Sequence, residues 1–254
     1  MTDLILVDGH ALAYRAYYGI KRPLCSPEGV PVNGVYGFGR MLMGIVERSR
    51  AQEGAVVFDS PGPNFRRRLY PPYKANRPSP PEEFILQLPL MMDLACSLGI
   101  RVVADGAYEA DDLIGTIAGR CEEAGWDCTV VTGDKDALQL ITEKTSVRLV
   151  TTRMGQTTTR DMTPQAFFDE YGFEPRKMVD FKALMGDPSD NIPGVRGVGE
   201  KTARELICRF GTIDEIFKNL EALDIRESVK QKLREGIEAA RMSYELATID
   251  RHVP

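Results

Sequence analysis

The sequence predicts an α/β protein in which a mainly parallel sheet carries helices on both faces and a helical part follows. In the first 160 residues, short apolar runs bounded by turn residues alternate with segments of helical spacing. Beyond residue 160 the strand signals stop, while helical patterns continue. The length of 254 residues suffices for one large domain or two small ones, and 43% of the residues are hydrophobic, which is enough for a buried core. We therefore predict an α/β core over residues 1–160 and a helical part over residues 161–254.

The predicted strands are short apolar runs, at residues 4–7, 55–58, 102–103, 129–131 and 147–151. The predicted helices between them have apolar residues at three- and four-residue spacing, at 35–50, 84–98 and 111–124. Pro89 is expected to kink the second of these helices. The predicted helices of the second part lie at 164–171, 175–185, 200–210, 212–219 and 228–247. Alternating strands and helices imply that successive strands run parallel.

Charge, cysteine and histidine content exclude several classes of protein. The net charge of −5 alone would argue against a nucleic-acid partner, but a sum does not say where the charges lie. The five cysteines are odd in number and lack C-x-x-C spacing, which argues against a disulfide framework or a zinc site. A Ser-His-Asp triad would have to use His10 or His252. The chain has no signal peptide and no run near the ~20 apolar residues of a membrane span, so we expect a cytoplasmic location.

Acidic residues follow the ends of several predicted strands. They are Asp8, Asp59, Asp105 and Asp134. The carboxyl ends of parallel strands meet at one edge of a sheet, which is where such folds bind ligands. One strand-end Asp is commonly a helix N-cap, but several at one edge would repel one another unless cations neutralise them. Further acids lie at predicted loop–helix junctions: Glu109, Asp111, Asp112, Asp136, Asp187 and Asp190.

The chemistry of these acids narrows the choice of metal. Carboxylates with almost no His or Cys favour Mg²⁺ or Mn²⁺ over Zn²⁺ or Cu²⁺. An EF-hand would need its acids within one 12-residue loop, and that pattern is absent. Acids spread along the chain are typical of a two-metal site for phosphoryl transfer.

Residues 64–81 form a basic segment that contains no acid. Its cations are Arg66, Arg67, Arg68, Lys74 and Arg77, with Tyr70 and Tyr73 interleaved. Cations follow phosphates and aromatic rings stack on unpaired bases, so the segment fits a single-stranded nucleic acid. A solvated loop stiffened by proline is the alternative that the sequence leaves open.

Residues 192–203 are rich in glycine, with Gly194, Gly197 and Gly199 followed by Lys201 and Thr202. The segment is not a P-loop, because Glu200 separates Gly199 from Lys201 and no predicted strand precedes it. Two helices joined by such a turn can direct backbone amides and a helix N-terminus at a phosphate. A plain helix C-cap with a tight turn remains the alternative.

Three stretches resemble a known family. They are residues 108–112 (Tyr-Glu-Ala-Asp-Asp), 132–136 (Thr-Gly-Asp-Lys-Asp) and 185–195 (Met-Gly-Asp-Pro-Ser-Asp-Asn-Ile-Pro-Gly-Val). Nearly the whole chain resembles the 5′-nuclease (flap endonuclease-like) superfamily, in particular the N-terminal 5′→3′ exonuclease domain of bacterial DNA polymerase I. The resemblance implies a PIN-like core, a helical arch at about 64–90, and a helix–three-turn–helix motif with its hairpin at 191–202.

The resemblance also implies an activity and its cofactors. The expected enzyme is a structure-specific 5′ nuclease, both 5′→3′ exonuclease and flap endonuclease. It would cleave DNA with a 5′ end or flap beside a duplex, or an RNA primer on DNA, leaving 5′-phosphates, in replication and repair. The implied cofactors are two Mg²⁺ or Mn²⁺ ions, with K⁺ at the hairpin. We expect a nucleoid-associated monomer, free-standing or as the front of a longer polymerase. A PIN-type endoribonuclease and a non-catalytic DNA-binding module are the alternatives.

The resemblance assigns roles to individual residues. One metal would lie near Asp59, Glu109 and Asp111, the other near Asp134, Asp136, Asp187 and Asp190, with Asp8 and Asp112 acting through water. Catalysis would depend on Asp111 together with Lys74 and Arg77, which would contact the scissile phosphate, and Tyr14 would stack on the terminal base. The predicted DNA contacts are Tyr14, Arg66, Tyr73, Lys74, Arg77, Gly194, Gly197, Gly199, Lys201 and Thr202. Asp105 is outside the pattern, and His10 departs from it and receives no role.

Overall fold

The computed structural model describes residues 3–20, 24–49, 51–60, 62, 64–153 and 156–254, without the side chains of 152–156. Its contacts divide the chain into two compact units. The sheet unit comprises Met1–Asn64, Ser79–Thr163 and Asp250–Pro254, and the helical unit comprises Phe65–Pro78 and Pro164–Ile249. The main division thus lies close to the predicted one at residue 160. Residues 65–78 were predicted in the α/β core but belong to the helical unit, and residues 250–254 were predicted in the helical part but belong to the sheet unit. The predicted arch segment, at about 64–90, is thereby divided between the units.

The sheet unit contains a six-stranded sheet in the order β3-β2-β1-β4-β5-β6. The strands are β1 Asp3–Asp8, β2 Glu53–Asp59, β3 Arg101–Asp105, β4 Asp127–Thr132, β5 Thr145–Arg153 and β6 Gln156–Met162. Neighbouring strands are parallel except β6, which pairs antiparallel with β5. Strand β6 was not predicted, because this edge strand is mostly polar and lacks the apolar run of a buried strand.

The helices of the described chain are α1 Gly9–Gly19, α2 Asn33–Arg48, α3 Phe65–Leu69, α4 Glu82–Ser97, α5 Ala110–Glu123, α6 Pro164–Tyr171, α7 Met178–Met185, α8 Glu200–Phe210, α9 Ile213–Lys218, α10 Glu227–Glu235 and α11 Ile237–Ala247. Helix α1 was not predicted either, because its Gly and Tyr residues have modest helix propensity. Among the described residues, no helix has the length and apolarity needed to cross a membrane.

The core of the sheet unit has helices on both faces of the sheet, as predicted. Val7 of β1 and Phe58 of β2 pack in one buried cluster with Phe38 of α2 and Phe84 of α4. Successive side chains of a strand point to opposite faces. On the other face, residues of β1, β2 and β3 line a cavity together with Cys121 and its neighbours on α5.

The helical unit is built around α7, of which all residues but the last are buried. The unit has an aromatic cluster in which Phe167 stacks on Tyr171, with ring centroids 4.5 Å apart. Gly236 divides the predicted helix 228–247 into α10 and α11. A Cβ at this position would approach the Val195 side chain to 2.7 Å, so the close packing there requires glycine.

Candidate active site and nucleic-acid interface

Asp8 is the last residue of β1 and the N-cap of α1. Its Oδ1 accepts a hydrogen bond from the Ala11 amide at 2.9 Å, and its Oδ2 accepts one from Thr132 Oγ1 at 2.7 Å. The residue is only 7% exposed. The capping bond and the threonine at the end of the neighbouring strand β4 therefore fix the carboxylate at the carboxyl edge of the sheet.

The charge of Asp8 is costly in the absence of a cation. Burial raises the pKa of Asp8 to about 6, against the lowering effect of the Ala11 and Thr132 hydrogen bonds, and repulsion from Asp59 and Asp134 raises it further. The predicted convergence of strand-end acids is thus present among these three residues. Such a cluster favours a bound cation, because a positive charge would stabilise all three ionised carboxylates.

Asp59 ends β2 and links it to α5. Its Oδ1 accepts from the amide of Ala110, the first residue of α5, at 2.8 Å. The Asp59 amide donates to His10 Nδ1 at 3.2 Å, and the same imidazole nitrogen lies 3.8 Å from Asp59 Oδ2. His10, which received no role from the sequence, therefore contacts the residue that orients the start of α5.

The first turn of α5 carries three of the predicted acids. Glu109 is the N-cap, and its Oε1 accepts from Asn64 Nδ2 at 2.8 Å. Asp111 follows, half-buried, in the first turn. Asp112 is completely buried, and its two carboxylate oxygens accept from the amides of Asp250, at 2.8 Å, and Glu109, at 3.2 Å. Asp112 is thus held by the backbone amides of Asp250 and Glu109, and its predicted action through water stays a prediction.

The turn after β4 carries Asp134 and Asp136. The Asp134 amide donates to Thr132 Oγ1 at 3.0 Å, and Asp134 Oδ1 accepts from the Asp136 amide at 2.9 Å. Asp136 opens a short 3₁₀ helix, Asp136–Leu140. Both side chains are half-buried at the carboxyl edge of the sheet. Thr132 is hydrogen-bonded to both Asp8 and Asp134 and so couples their positions.

The helical unit holds the other two predicted metal ligands, and each is paired with a cation. Asp187 Oδ2 accepts from the buried Lys182 Nζ at 2.8 Å, while its Oδ1 accepts from the Ser189 amide at 2.9 Å and from Ser189 Oγ at 2.6 Å. Although burial alone would raise the pKa of Asp187, the Lys182 ammonium and the Ser189 donors hold it below its ordinary value. This carboxylate is therefore stabilised as an anion inside its own unit.

Asp190 is paired with both predicted arch cations. Its carboxylate forms a salt bridge with Arg77 and lies 3.8 Å from Lys74 Nζ. The Lys74 amide donates to the Asp190 carbonyl at 2.9 Å, which supports a left-handed backbone at Lys74 with φ +55°. This conformation is uncommon for a residue other than glycine. Lys74 and Arg77 are therefore held together on the carboxylate of Asp190.

The structure contradicts two of the predicted DNA contacts. Arg66 is 3% exposed, and its guanidinium donates to the carbonyls of Leu246, at 2.9 Å, and Thr248, at 2.7 Å. Tyr73 is also 3% exposed and packs in a cluster with Val179 and Leu246. Arg66 satisfies carbonyls at the end of α11, and Tyr73 fills the core of the helical unit. Neither side chain is available to DNA.

Tyr14, the predicted base-stacking residue, lies on α1. Its ring stacks on Phe84, with centroids 4.2 Å apart and an interplanar angle of 19°. Tyr18 lies one turn further along α1, nearly parallel to Tyr14 at 6.3 Å, and is 60% exposed. Tyr14 and Tyr18 thus form an aromatic row on α1, with Phe84 of α4 against Tyr14, and the stacking of Tyr14 on a terminal base stays a prediction.

The glycine-rich hairpin joins α7 to α8, but its glycines differ in role. The Gly194 amide donates to the buried Ser243 Oγ at 2.9 Å, and a Cβ at Gly194 would lie 2.3 Å from the backbone of Gly186. The predicted phosphate contact of the Gly194 amide is therefore wrong, because this glycine provides close packing. Gly199 is exposed and is the N-cap of α8.

Gly197 lies at the tip of the hairpin with φ +78°, and its carbonyl accepts from Lys232 Nζ at 2.9 Å. Lys201 is exposed and Thr202 half-buried in the first turn of α8. The tip therefore combines a helix N-terminus with the cations Lys201 and Lys232. That combination suits a phosphate group.

Four residues that the sequence did not predict interact with the predicted acids: Arg15, Lys182, Asn64 and Thr132. Burial lowers the pKa of Arg15, and the nearby Asp8 carboxylate opposes that effect. Arg15 is seven residues after Asp8, which puts it on the same helical face as the cap residue, and this signal was available from the sequence. Lys182, five residues before Asp187, offered a weaker one. No spacing rule connects Asn64 or Thr132 to its distant acid.

Within the described residues, no three His, Cys, Asp or Glu side chains form a ready-made metal cage. The donor set nevertheless fits a hard divalent ion. The acids at the edge of the sheet offer carboxylate oxygens only, which suits Mg²⁺ or Mn²⁺. Asp8, with Asp59 and Asp134 near it, carries the electrostatic strain that such an ion would relieve.

Comparison with known proteins places these features in a family. Residues 3–172 match the family model described as the N-terminal, resolvase-like domain of 5′-3′ exonucleases, and residues 173–254 match the model of their C-terminal SAM fold. A 5′-3′ exonuclease of Bacillus subtilis is 41% identical over 256 residues, covering 100% of this chain and 85% of that protein. The thermostable DNA polymerase I of Thermus thermophilus is 38% identical over 251 residues, covering 99% of this chain.

The chain spans 29% of the length of that polymerase. Among solved structures, T5 5′-exonuclease with bound zinc ions has a TM-score of 0.81 at 24% identity, covering 98% of this chain and 90% of that one. The predicted resemblance to the 5′-3′ exonuclease family and the predicted fold class are confirmed by these matches.

Proposed function

Because the chain belongs to the 5′-3′ exonuclease family, we propose that it cleaves DNA with a 5′ end or flap in a divalent-metal-dependent reaction that leaves 5′-phosphates. The observation that carries this proposal is the carboxyl edge of the sheet, where the parallel strands β2, β1 and β4 bring Asp59, the buried Asp8 and Asp134 to one side. Carboxylates held this close favour bound cations. A non-catalytic DNA-binding module would have no use for them.

The proposed metal ligands in the sheet unit are Asp8, Asp59, Glu109, Asp111, Asp134 and Asp136, and those in the helical unit are Asp187 and Asp190. Two bound Mg²⁺ or Mn²⁺ ions would supply charge neutralisation and Lewis-acid activation of water for attack on phosphorus. The metal-bound relative T5 5′-exonuclease shares this fold, which supports a divalent-ion site. Neutral donors orient the sheet-unit acids through the Ala11 amide, Thr132 and Asn64.

Lys74 and Arg77 are the proposed phosphate-binding cations. Both pair with Asp190, and the Arg77 side chain is 48% exposed. We expect the scissile phosphate to compete with Asp190 for these cations and draw them toward the developing charge. Asp190 then keeps them in place between turnovers. When the phosphate draws the two cations away, a metal ion bound to Asp190 would neutralise the carboxylate in their place.

The proposed duplex contact is the hairpin tip and the first turn of α8. Gly197, Gly199, Lys201 and Thr202 are its members, with backbone amides and the helix N-terminus facing a phosphate. The predicted K⁺ would share the hairpin with the Lys232 ammonium, which already binds the Gly197 carbonyl. RNA primers on DNA, a monomeric state, nucleoid association and fusion to a polymerase stay part of the proposal.

The decisive experiment compares Asp111→Asn with wild type on a 5′-flap substrate, with Mg²⁺ and with EDTA. We expect the variant to lose about a hundredfold or more in single-turnover rate, because it loses a charged ligand of the metals, yet to bind flap DNA normally in Ca²⁺. The matched control is Asp105→Asn. Asp105 is an exposed strand-end acid of the same sheet edge whose Oδ1 accepts from the Ala107 amide, and it is outside the proposed ligand set.

Near-normal turnover by Asp111→Asn would remove this residue from the metal site. Cleavage that survives EDTA would refute the metal dependence. Cleavage of single-stranded RNA in preference to the DNA flap would instead favour the PIN-type endoribonuclease. An equal loss in Asp105→Asn would show that the effect is a general consequence of removing charge from this edge.

A further inference from the structure

The chain returns to the sheet unit at Asp250, and its last residues lie along α5. Three side chains of α5 at four-residue intervals, Asp112, Thr116 and Arg120, bind the backbone of this segment. Residues four apart lie on one face of a helix, one turn above another. We call these three residues the α5 stripe, and residues 250–253 the return segment.

Each contact of the α5 stripe is made to a backbone group of the return segment. Asp112 Oδ1 accepts from the Asp250 amide at 2.8 Å, and Thr116 Oγ1 donates to the Asp250 carbonyl at 3.4 Å. Thr116 Oγ1 also accepts from the Val253 amide at 3.1 Å, and Arg120 donates to the Val253 carbonyl at 3.1 Å. Backbone groups of the return segment are thus satisfied by side chains of a helix rather than by a neighbouring strand.

Two further contacts hold the return segment in place. Val253 is 5% exposed, so its side chain is buried as an apolar anchor. Arg251 forms an ion pair with Glu122 at 3.1 Å, and Glu122 also accepts from Thr142, at 2.6 Å, and from Thr145, at 2.7 Å. The segment is therefore seated by hydrogen bonds, by an apolar side chain and by a charge pair, all within the sheet unit.

Asp112 is the residue that connects this seat to the candidate active site. One of its oxygens binds the return segment, and the other accepts from the amide of Glu109, the N-cap of α5. The first turn of α5, which the bond to the Glu109 amide closes, carries Glu109 and Asp111, both proposed metal ligands. Asp112 is 0% exposed, and its carboxylate accepts hydrogen bonds from two amides. It is therefore suited to holding the two backbone segments in place.

We propose that Asp112 and Thr116 are positioning residues, which seat the return segment on α5 and thereby fix the turn that presents Glu109 and Asp111. This inference rests on the proposed metal-dependent nuclease and gives Asp112 a role other than the metal contact through water expected from the resemblance. Residues that orient metal ligands commonly change metal affinity or activity by 10–100-fold when replaced. The α5 stripe also explains why Asp112 and Thr116 are buried while they are polar.

The test uses the full chain with Thr116→Val, which keeps the shape of the side chain and removes both hydroxyl contacts. The first measurement is hydrogen exchange in metal-free protein. We expect faster exchange in the return segment and, in the same variant, at residues 109–112. Thr116→Ser, which keeps the hydroxyl, should restore wild-type exchange at both places. Thr129→Val is the matched control, because Thr129 makes a 3.4 Å side-chain contact with Ser146 between β4 and β5.

The second measurement is the single-turnover rate on flap DNA. Thr116→Val should be about tenfold slower at saturating Mg²⁺, with unchanged DNA affinity in Ca²⁺. Asp112→Asn should be slower too, and the double variant no slower than the slower single variant, because both residues bind Asp250. A purely structural role would lower the melting temperature and leave the single-turnover rate of the folded variants at the wild-type value.

Faster exchange confined to the return segment, with wild-type exchange at residues 109–112, would overturn the positioning role. So would rate losses that multiply in the double variant, because they would mean that Asp112 acts separately from Thr116. If wild type itself does not cleave flap DNA, the proposed nuclease fails, whereas linked exchange at the two places would still support the seat and its connection to Glu109.

Discussion

Replacing Arg66 by Met tests whether this arginine holds the helical unit together or binds DNA. The aliphatic part of Arg66 would be kept, since methionine fills a similar volume. What is lost are the donors to the Leu246 and Thr248 carbonyls, at 2.9 and 2.7 Å, and the guanidinium 4.5 Å from the centre of the Phe65 ring. These carbonyls belong to the end of α11, where a cation also interacts favourably with the helix dipole.

The expected cost follows from the two hydrogen bonds. A hydrogen bond with a charged partner contributes ~1.5 kcal/mol at the low end of the usual range, so the two give about 3 kcal/mol. In a chain of this length, that loss lowers the melting temperature by ~6–12 °C. The low-end value is chosen because water can reach part of the Thr248 carbonyl, whose residue is half-buried.

The assay is thermal unfolding of Arg66→Met beside Arg67→Met, followed by a flap-DNA titration at several salt concentrations. Arg67 is the exposed neighbour on α3, and its replacement should change stability by less than ~0.5 kcal/mol. If Arg66→Met melts like wild type but loses DNA affinity with a smaller salt slope, the buried role is refuted and Arg66 is a phosphate contact.

Two further predictions concern buried titratable groups. Cys121 and Cys128 are buried, and burial raises the pKa of Cys128 to about 12, so at pH 8 only the three exposed thiols should react with Ellman's reagent until denaturant exposes all five. Reaction of either buried thiol in native protein would contradict the packing of α5 on β4. Burial raises the pKa of Asp180 above its unfolded value, so its charge opposes folding at neutral pH, and this penalty disappears as pH falls through the raised value. Asp180→Asn keeps an acceptor for the Ile213 amide, so its urea midpoint at pH 7 should equal or exceed that of wild type. Any such advantage should disappear near pH 4. A variant whose urea midpoint, relative to wild type, is lower at pH 7 than at pH 4 would contradict this pH dependence.

The strand-end acids could be predicted because their placement follows from local pattern and one rule of topology. Asp8, Asp59 and Asp134 each follow an apolar run, and parallel pairing of β2, β1 and β4 brings the ends of these runs to one edge. The rule needs no knowledge of side-chain packing. It also brings Asp105 to that edge, so it can show where a site lies without showing which acids belong to it.

The basic segment could not be interpreted in the same way. Its composition predicts cations and aromatic rings at a nucleic acid, but burial of one side chain depends on partners far along the chain. Arg66 bonds to Leu246 and Tyr73 packs against Val179, so the fate of each is decided by the fold of the helical unit. Arg77, on the same segment, stays half-exposed beside Asp190. Spacing along the sequence does not distinguish these outcomes.

The two units treat their acids differently, and this difference bears on where a metal ion is needed. In the helical unit, Asp187 and Asp190 already face ammonium and guanidinium groups, which neutralise as well as orient them. In the sheet unit, Asp8 and Glu109 are oriented by amides, a hydroxyl and a carboxamide, and neutral donors leave the negative charge in place.

The net charge of −5 therefore does not show that some acids are paired with cations while others are held by neutral donors. Arg15 offsets part of the charge of Asp8, yet burial and repulsion from Asp59 and Asp134 still raise the pKa of that carboxyl. At the edge of the sheet, a divalent cation would stabilise the ionised carboxylate of Asp8 together with those of Asp59 and Asp134. The proposed DNA substrate is therefore compatible with an acidic chain. Several of its acids converge at the edge of the sheet, where bound cations would neutralise them, and Lys201 and Lys232 lie at the hairpin proposed to bind a phosphate.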